Sequence, residues 1–294
     1  MKYYEVKFTI SPINTDACDI LAAVAGDAGF ETFEETETGL TGYIQQTLYD
    51  EQALTECLKD FPFEGITITY DISEAEDRDW NEQWEQEGFE PIIVRGGEQN
   101  TAIVIHDGRH LPELIPEENI SIEIDAKMAF GTGTHETTQM ICSTLLDLNL
   151  EGKRVLDCGT GTGILSICAL KLGASQAVGY DIDEWSVDNA RHNAVINLVD
   201  HQFESLQGDA YILNKVEGQF DLAMANINRN ILLADLPAFC RKMAPGAFLI
   251  LSGFYVDDIP SLTEKGETLG LTLISHKESN SWASLLMQMM QKSA

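Results

Sequence analysis

The stretch that most limits how this chain can fold is the decapeptide V-L-D-C-G-T-G-T-G-I at 155–164. An apolar strand leads into a glycine-rich loop, and the loop leads into a helix predicted over 164–172. Gly159 and Gly161 lack a Cβ, so a ligand can come close to the backbone. Strand, glycine loop and helix in this order predict a parallel sheet with helices on both faces, which binds ligands at the carboxyl ends of its strands.

The carboxylate that ends the next predicted strand, 176–181, indicates which ligand. Asp181 lies 22 residues after Gly159, where it can accept two hydrogen bonds from a ribose diol. Strand, loop and carboxylate together predict an adenosine site. The dinucleotide fingerprint G-x-G-x-x-G would need a glycine where this chain has Ile164. The observed D-x-G-x-G-x-G is typical of methyltransferases that use S-adenosylmethionine, and it disfavours nicotinamide chemistry.

A second glycine cluster, F-G-T-G-T-H-E-T-T at 130–138, precedes a helix predicted to run through 146. Threonines and a glutamate at a helix start favour capping of that helix. Capping does not require two glycines after Phe130, so we also expect this loop to fold over a ligand.

The third cluster is M-A-N-I-N-R-N at 224–230, directly after an apolar strand predicted over 220–225. A polar side chain at the carboxyl end of that strand would lie over the reactive group of a bound cofactor. Asn226 could accept a hydrogen bond from an amine and orient it. Asparagine after a strand is also a common turn residue, so Asn226 taken alone has two interpretations.

The first 73 residues predict a separate small domain. Apolar residues recur there with strand and helix periods in turn, and Thr38-Gly39 marks a hairpin. The order β-α-β-β-α-β is that of a ferredoxin-like sandwich, a module that commonly binds partners. The predicted strands are 2–10, 30–37, 40–48 and 66–72, and the predicted helices are 14–28 and 50–59.

Residues 74–90 predict an acidic, helical linker. Trp80 and Trp84 lie four residues apart and would share one helix face, which needs a surface to pack on. The segment is either a connector helix docked on a domain or a semi-rigid arm that carries the first domain over the second.

Residues 91–294 are predicted to form the α/β domain. Besides the segments named above, its predicted strands are 154–157 and 247–252, and its predicted helices are 184–193 and a stretch that ends at 243. The predicted strands 271–276 and 282–289 form a terminal antiparallel pair.

The charge balance limits the partners. The chain carries 18 basic and 48 acidic residues, a net charge of −30, and residues 1–90 hold 4 basic and 22 acidic residues, a net −18. Nucleic-acid affinity comes mainly from Lys and Arg that neutralise phosphates, so direct nucleic-acid binding is disfavoured. The acidity predicts a basic partner, or it only keeps the protein soluble.

The sequence lacks the patterns that are typical of secreted, membrane-spanning, metal-binding and disulfide-rich proteins. Residues 1–7 have no apolar signal-peptide core, and no apolar run reaches the roughly 20 residues that span a bilayer. The six cysteines form no Cys-x-x-Cys pair, and the histidines form no His-Glu-x-x-His. We therefore expect no membrane segment, no metal site and no disulfide framework, and a reducing, cytoplasmic location.

The three clusters, in this order, resemble the PrmA family, the methyltransferases of ribosomal protein L11. The resemblance covers nearly the whole chain, and its most specific stretch is A-F-G-T-G-T-H-E-T-T at 129–138. It implies a class I S-adenosylmethionine-dependent methyltransferase (Rossmann-like) domain preceded by a small α+β ferredoxin-like domain. Two stretches depart from the family pattern, namely 106–112 and Asn228-Arg229.

The resemblance also implies substrate and site residues. The family methylates lysine side chains and the N-terminal amine of ribosomal protein L11, a basic substrate that its N-terminal domain recognises. Position 209 is similar to the acidic turn that contacts adenine in this methyltransferase class. The implied cofactor-binding residues are Phe130, Thr138, Gly159, Gly161, Asp181, Asp209 and Asn226, of which Asn226 is also the implied catalytic residue.

The expected reaction is in-line attack of an uncharged amine on the methyl group of the cofactor. An asparagine suits this reaction better than a carboxylate, which would hold the amine in its protonated form. Three alternatives remain open. They are methylation of another protein, a small-molecule amine or RNA, a non-catalytic ribosome-binding adaptor with a degenerate cofactor site, and a dehydrogenase.

Overall fold

The computed structural model describes residues 3–13, 15–30, 32–36, 38–46, 48–59, 61, 65–75, 88–96, 101–112, 115–126 and 131–291. The chain divides into two compact units, Met1–Glu82 and Gln83–Ala294. The predicted linker helix with Trp80 and Trp84 falls, except for its ends, outside the described residues. The domain limits predicted at 73 and 91 therefore stay a prediction.

The first unit is a four-stranded antiparallel sheet with two helices. It contains β1 (Tyr3–Ser11), α1 (Thr15–Asp27), β2 (Thr32–Thr36), β3 (Gly39–Gln45), α2 (Glu51–Lys59) and β4 (Thr67–Glu74). The order of elements is the predicted one, and the strands lie in the order β2-β3-β1-β4. On β1, Val6, Phe8 and Ile10 are buried whereas Lys7 and Thr9 are exposed. One face of the sheet therefore forms the core.

The second unit begins with a three-stranded sheet that was not predicted. Its strands are β5 (Ile92–Arg95), β6 (Ala102–His106) and β7 (Ile120–Glu123), in that spatial order. β6 is buried along its whole length. It ends at His106, the first residue of the stretch 106–112 that departs from the family pattern, and Asp107 begins the turn that follows. The Asp107 carboxylate accepts hydrogen bonds from the backbone N–H groups of Arg109 (2.8 Å) and His110 (2.7 Å).

The rest of the second unit is built on a seven-stranded sheet. Its strands are β8 (Arg154–Cys158), β9 (Gln176–Asp181), β10 (Phe203–Gln207), β11 (Phe220–Asn226), β12 (Met243–Tyr255), β13 (Leu271–Ser279) and β14 (Trp282–Met289). They lie in the order β10-β9-β8-β11-β12-β14-β13. The first five are parallel, and β14 runs antiparallel to both β12 and β13. The predicted terminal antiparallel pair is confirmed.

Helices cover both faces of this sheet. They are α3 (Glu136–Leu146), α4 (Ile164–Lys171), α5 (Glu184–Ile196), α6 (Arg229–Lys242) and α7 (Ile259–Thr268). Successive residues of β8 enter opposite cores: Val155 packs in a cluster with residues of α3 and α4, and Leu156 in one with residues of α6. Both faces are therefore buried, as predicted for a parallel sheet. Within the described ranges, we find no helix that combines the length and apolarity needed to cross a bilayer.

Candidate active site

The strand order reverses between β8 and β11, so a ligand is expected at the carboxyl ends of these two strands. Two predicted site segments meet there, because Cys158 pairs in register with Ala225 and Gly159 therefore lies beside Asn226. The glycine loop has left-handed backbone angles, with φ of +75° at Gly159 and +51° at Gly161. Only glycine adopts such angles readily, so the glycine pattern shapes the loop itself.

Asp157 lies fully buried at the end of β8, where the glycine loop begins. Its Oδ2 accepts hydrogen bonds from Oγ1 of Thr160 (2.9 Å) and from the backbone N (3.2 Å) and Oγ (2.8 Å) of Ser166. Its Oδ1 has no hydrogen-bond partner among the described residues. Burial raises the pKa of this carboxyl to about 6, because a low-dielectric environment disfavours its charged form. The site thus includes a buried, incompletely satisfied acid that was not predicted as a ligand contact.

Asp181, at the end of β9, contacts the glycine loop directly. Its Oδ2 accepts a hydrogen bond from the backbone N–H of Gly161 (2.9 Å), and its Oδ1 accepts one from that of Asp183 (3.1 Å). Each carboxylate oxygen can accept a further hydrogen bond, so both can still bind ligand hydroxyls. The next residue, Ile182, is 72% exposed. It offers an apolar surface beside the carboxylate, which was not predicted.

Asp209 lies in the loop after β10, close to the end of β9, because the N–H of Gly208 donates to the carbonyl of Asp181 (2.8 Å). Asp209 is exposed, and its carboxylate accepts a hydrogen bond from the N–H of Tyr211 (2.9 Å). This bond caps the short 3-10 helix Ala210–Lys215. Capping alone accounts for an acidic residue here, so the predicted contact of Asp209 with adenine stays a prediction.

The second glycine loop leads into α3, whose N-cap is His135. Nδ1 of His135 accepts a hydrogen bond from the backbone N–H of Thr137 (3.2 Å). Capping, one of the two interpretations of this cluster, is therefore observed, but the cap is the imidazole of His135 and not a threonine or the glutamate. Thr138, predicted for the site, lies fully buried in the first turn of α3.

The glycines of this second loop pack against the body of the domain. A Cβ at Gly133 would lie 3.1 Å from the side chain of Ile105 and 3.2 Å from that of Ile164. Since Ile164 begins α4, the second glycine loop lies against the helix that follows the first one. Phe130, the predicted cofactor contact that precedes Gly131, lies outside the described residues.

Asn226 is the last residue of β11 and is half-buried. Its Nδ2 donates a hydrogen bond to Oγ1 of Thr138 (3.4 Å), a residue 88 positions away. The structure thus brings together two residues that were predicted separately. Thr138 engages the amide nitrogen, so the predicted role of Asn226 as an acceptor falls to its amide oxygen.

The backbone after Asn226 is held between two glycines. The N–H of Ile227 donates to the carbonyl of Ser252 on β12 (3.1 Å). A Cβ at Gly253 would lie 2.5 Å from the carbonyl oxygen of Ile227, and a Cβ at Gly159 would lie 2.5 Å from its Cγ2. The position of Asn226 therefore depends on both glycines, and part of the space beside Gly159 is filled by Ile227.

An open hollow of about 830 Å³ lies at the same edge of the sheet, between the end of β12 and the β13–β14 hairpin. The ring of Trp282 stacks on Tyr255 with centroids 4.4 Å apart and meets His135 edge-on at 4.8 Å. The hollow therefore adjoins the start of α3. Its lining, which was not predicted, consists of Tyr255, Val256, Asp257, Asp258, Glu278, Ser279, Asn280 and Ser281.

Comparison with known proteins places this arrangement in a family. The family described as ribosomal protein L11 methyltransferase (PrmA) matches residues 19–290. The chain belongs to the ribosomal protein L11 methyltransferase family. The match includes all three sequence clusters.

Individual relatives agree with the family. The ribosomal protein L11 methyltransferase of Phocaeicola vulgatus is 47% identical over 97% of this chain and 98% of its own length. That of Chlorobaculum parvum is 31% identical over 94% of each chain. The crystal structure of ribosomal protein L11 methylase from Lactobacillus delbrueckii subsp. bulgaricus has a TM-score of 0.57 and 27% identity, and covers 68% of this chain and 99% of that one. The predicted class I methyltransferase fold is confirmed, whereas the roles of the site residues stay predictions.

Proposed function

We propose that this protein is an S-adenosylmethionine-dependent N-methyltransferase that modifies lysine side chains and the N-terminal amine of ribosomal protein L11. Membership of the family supports the substrate. The observation that carries the chemistry is the contact of Asn226 with Thr138 at the strand-order reversal, beside the glycine loop. An oriented, uncharged acceptor at that point suits an amine nucleophile.

The residues at the ends of β8 and β9 fit the chemistry of S-adenosylmethionine, which contains a sulfonium, an ammonium group, a ribose diol and an adenine ring. Asp157 supplies a buried acid whose Oδ1 lacks a partner among the described residues, so a nearby cation would stabilise its charged form. Asp181 supplies acceptors for the diol, and Ile182 supplies an apolar surface for the ring. We infer that these residues and the glycine loop hold the cofactor, which supplies an electrophilic methyl group when bound.

The amine of the substrate has to lose its proton before it can attack. A free lysine has a pKa of about 10.4, so forming the neutral amine at pH 7 costs about 4–5 kcal/mol. Desolvation and a nearby positive charge both lower this cost. Oδ1 of Asn226 accepts one N–H of the neutral amine and directs the nitrogen lone pair toward the methyl group. A carboxylate in its place would stabilise the protonated amine instead.

Alignment is the second contribution of the chain. Thr138 orients the amide of Asn226, and the hydrogen bond from Ile227 to Ser252 anchors the backbone that carries it. Holding a nucleophile about 3–3.5 Å from its target is worth several kcal/mol. Solvent water takes the proton that the amine releases.

We assign substrate recognition to the first unit. Its two helices and the strand order β2-β3-β1-β4 are those of a ferredoxin-like module. Residues 1–82 hold 4 basic and 19 acidic residues, a net −15, which is complementary to a basic ribosomal protein. The hollow between β12 and the β13–β14 hairpin adds the carboxylates of Asp257 and Glu278 at the edge of the sheet where Asn226 lies, whereas that of Asp258 is paired with Arg229 (2.8 Å).

Intact-mass spectrometry of purified ribosomal protein L11, after incubation with enzyme and S-adenosylmethionine, tests the proposal. We expect additions of a methyl mass, and peptide mapping should place them on lysines and the N-terminus. Binding of S-adenosylmethionine without any gain in the mass of L11 would point to a different acceptor. Absence of cofactor binding in calorimetry would favour the adaptor alternative, and binding of a nicotinamide cofactor would favour a dehydrogenase.

A further inference from the structure

A buried hydroxyl connects the two glycine loops of the site. Oγ1 of Thr162 donates a hydrogen bond to the carbonyl of Gly131 (2.6 Å). Thr162 lies inside the first loop and is fully buried, whereas Gly131 is the first described residue of the second loop. The fit is close, because a Cβ at Gly131 would lie 2.9 Å from the same Oγ1. The two bonded residues are 31 positions apart in the chain, so this hydrogen bond links the two loops directly.

The backbone of Thr162 is itself held by a helix. Asn193 on α5 is fully buried, and its Nδ2 donates to the carbonyl of Thr162 (2.9 Å). Its Oδ1 accepts from the backbone N–H of Asp125 (3.0 Å), and Nδ2 of Asn189 donates to the carbonyl of Asp125 (2.8 Å). Residue 125 therefore attaches to the same helix that holds Thr162. The segments on either side of residues 127–130 share this support.

The second loop leads directly to catalytic groups. Residues 131–135 join Gly131 to α3, where Thr138 accepts the hydrogen bond of Asn226. Whatever fixes Gly131 therefore also limits where α3 begins. A loop that contains two glycines has high conformational entropy when it is not held. A loop that is ordered before binding spares the ligand the free energy of ordering it.

We propose that Thr162 is a positioning residue. Its hydroxyl fixes the second glycine loop against the cofactor loop before the cofactor binds, and the asparagines of α5 hold Thr162 in turn. This inference rests on the proposed use of S-adenosylmethionine. Its consequence is that the hydroxyl of Thr162 contributes to cofactor affinity although its hydrogen bond goes to protein.

Two substitutions at position 162 separate the hydroxyl from the rest of the side chain. Thr162→Val keeps the shape and removes the hydroxyl, whereas Thr162→Ser keeps the hydroxyl. Thr263→Val is the matched control, because Oγ1 of Thr263 on α7 is buried and has no hydrogen-bond partner among the described residues. The measurements are the Kd for S-adenosylmethionine by titration calorimetry, the Tm without ligand, and KM and kcat with L11.

We expect Thr162→Val to raise the Kd and the KM for S-adenosylmethionine about tenfold, the size expected for one buried hydrogen bond. Thr162→Ser should restore most of the affinity, kcat should change less than KM, and Thr263→Val should bind like the wild type. Wild-type affinity in Thr162→Val would overturn the inference, as would equal losses in the valine and serine variants. If the wild type itself bound no S-adenosylmethionine, the proposed function would fail first.

Gly131→Ala changes the acceptor residue of the same hydrogen bond. It provides a second test in case Thr162→Val does not fold. Alanine there disturbs the hydrogen bond, and its φ of +112° is unfavourable for a residue with a side chain. Because the strained φ adds a cost of its own, the loss caused by Gly131→Ala should be smaller in the Thr162→Val background than in the wild type, but not zero. Multiplying losses in the double variant would show independent effects and contradict the inference.

Discussion

A substitution at Asn226 should affect catalysis much more than stability. Its Nδ2 makes one long hydrogen bond, to Thr138 (3.4 Å), so the side chain contributes little to stability. We expect Asn226→Ala to lower kcat on the order of 100-fold, because the amine loses its orienting acceptor. The Tm should stay close to that of the wild type. Steady-state kinetics with L11, combined with thermal unfolding, check this expectation.

Two further variants sharpen this test. Asn226→Asp should be poorly active near pH 7 and recover as the pH rises, since a carboxylate favours the protonated amine. Asn230→Ala is the matched control, because Asn230 is an exposed residue of α6 whose side chain contacts Arg229. An Asn226→Ala variant with wild-type turnover would remove this residue from the mechanism.

The raised pKa of Asp157 should make the free energy of unfolding depend on pH. Its carboxyl has an ordinary pKa of 3.8, and burial raises the pKa to about 6 in the folded protein. Between these values the folded state binds more protons than the unfolded state, so the stability associated with the protonated acid is lost as pH rises toward 6. Asp157→Asn cannot titrate, and its amide oxygen can accept the same three hydrogen bonds. Because the amide nitrogen takes the place of the unpartnered Oδ1, only the pH-dependent part is predicted: from below pH 3.8 to pH 7.5 the variant should gain about 3 kcal/mol of stability relative to the wild type.

Urea unfolding of the two proteins across the pH range measures this difference. The advantage of Asp157→Asn should grow by about 1–2 kcal/mol between pH 5 and pH 7.5 and level off above pH 7, where the carboxyl is fully ionised in both states. Affinity for S-adenosylmethionine should fall in the same variant, because the site loses its buried negative charge. A stability difference that does not vary with pH would contradict the assignment of this titration to Asp157.

At the scale of elements, the start of α6 explains a departure from the family pattern. Oδ1 of Asn228 accepts hydrogen bonds from the backbone N–H groups of Asn230 (3.1 Å) and Ile231 (3.2 Å), and Asn228 is the N-cap. We expect Asn228→Ala to lower the free energy of unfolding by about 1 kcal/mol. Asn228→Asp should retain most of the stability, since a carboxylate caps equally well. Denaturant unfolding measures both, and equal losses would show that capping is not the cause.

Most elements could be predicted because their patterns are local. The observed bounds of β9 and β14 equal the predicted ones, since a turn precedes each apolar run. β12 runs over Met243–Tyr255 instead of 247–252, because Gly246 and Gly253, the residues predicted to bound it, lie within the strand. α7 has Pro260 in its first turn and few apolar residues, and β10 is an edge strand with one buried residue. Such elements are stabilised by neighbours that no local pattern reveals.

Some residues of the candidate site could likewise be predicted from local patterns, and others could not. Its glycine loops and Asn226 follow strands or precede helices, so motif and spacing indicated them. The unpartnered oxygen of Asp157 and the hydrogen bond from Thr162 to Gly131 depend on how distant segments pack. The side chain of Asn193 bonds to the backbone of Thr162, 31 positions away, and to that of Asp125, 68 positions away. Nothing in the composition of α5 marks such a residue as part of a binding site.

For the molecule as a whole, the net charge of −30 should govern how fast a basic substrate is found. Raising the ionic strength from about 50 to about 500 mM shortens the range of these interactions. We therefore expect kcat/KM for L11 to fall about tenfold, while kcat at saturating substrate and the Kd for S-adenosylmethionine change little. Stopped-flow and steady-state kinetics check this, and a kcat/KM that does not respond to salt would show that the acidity only serves solubility.

The glycine at 253 limits how this scaffold can be redesigned. A Cβ there would overlap the carbonyl oxygen of Ile227, at 2.5 Å, so even a methyl group would displace the strand end that bears the amide. Any redesign of the region beside Asn226 therefore has to keep glycine at position 253.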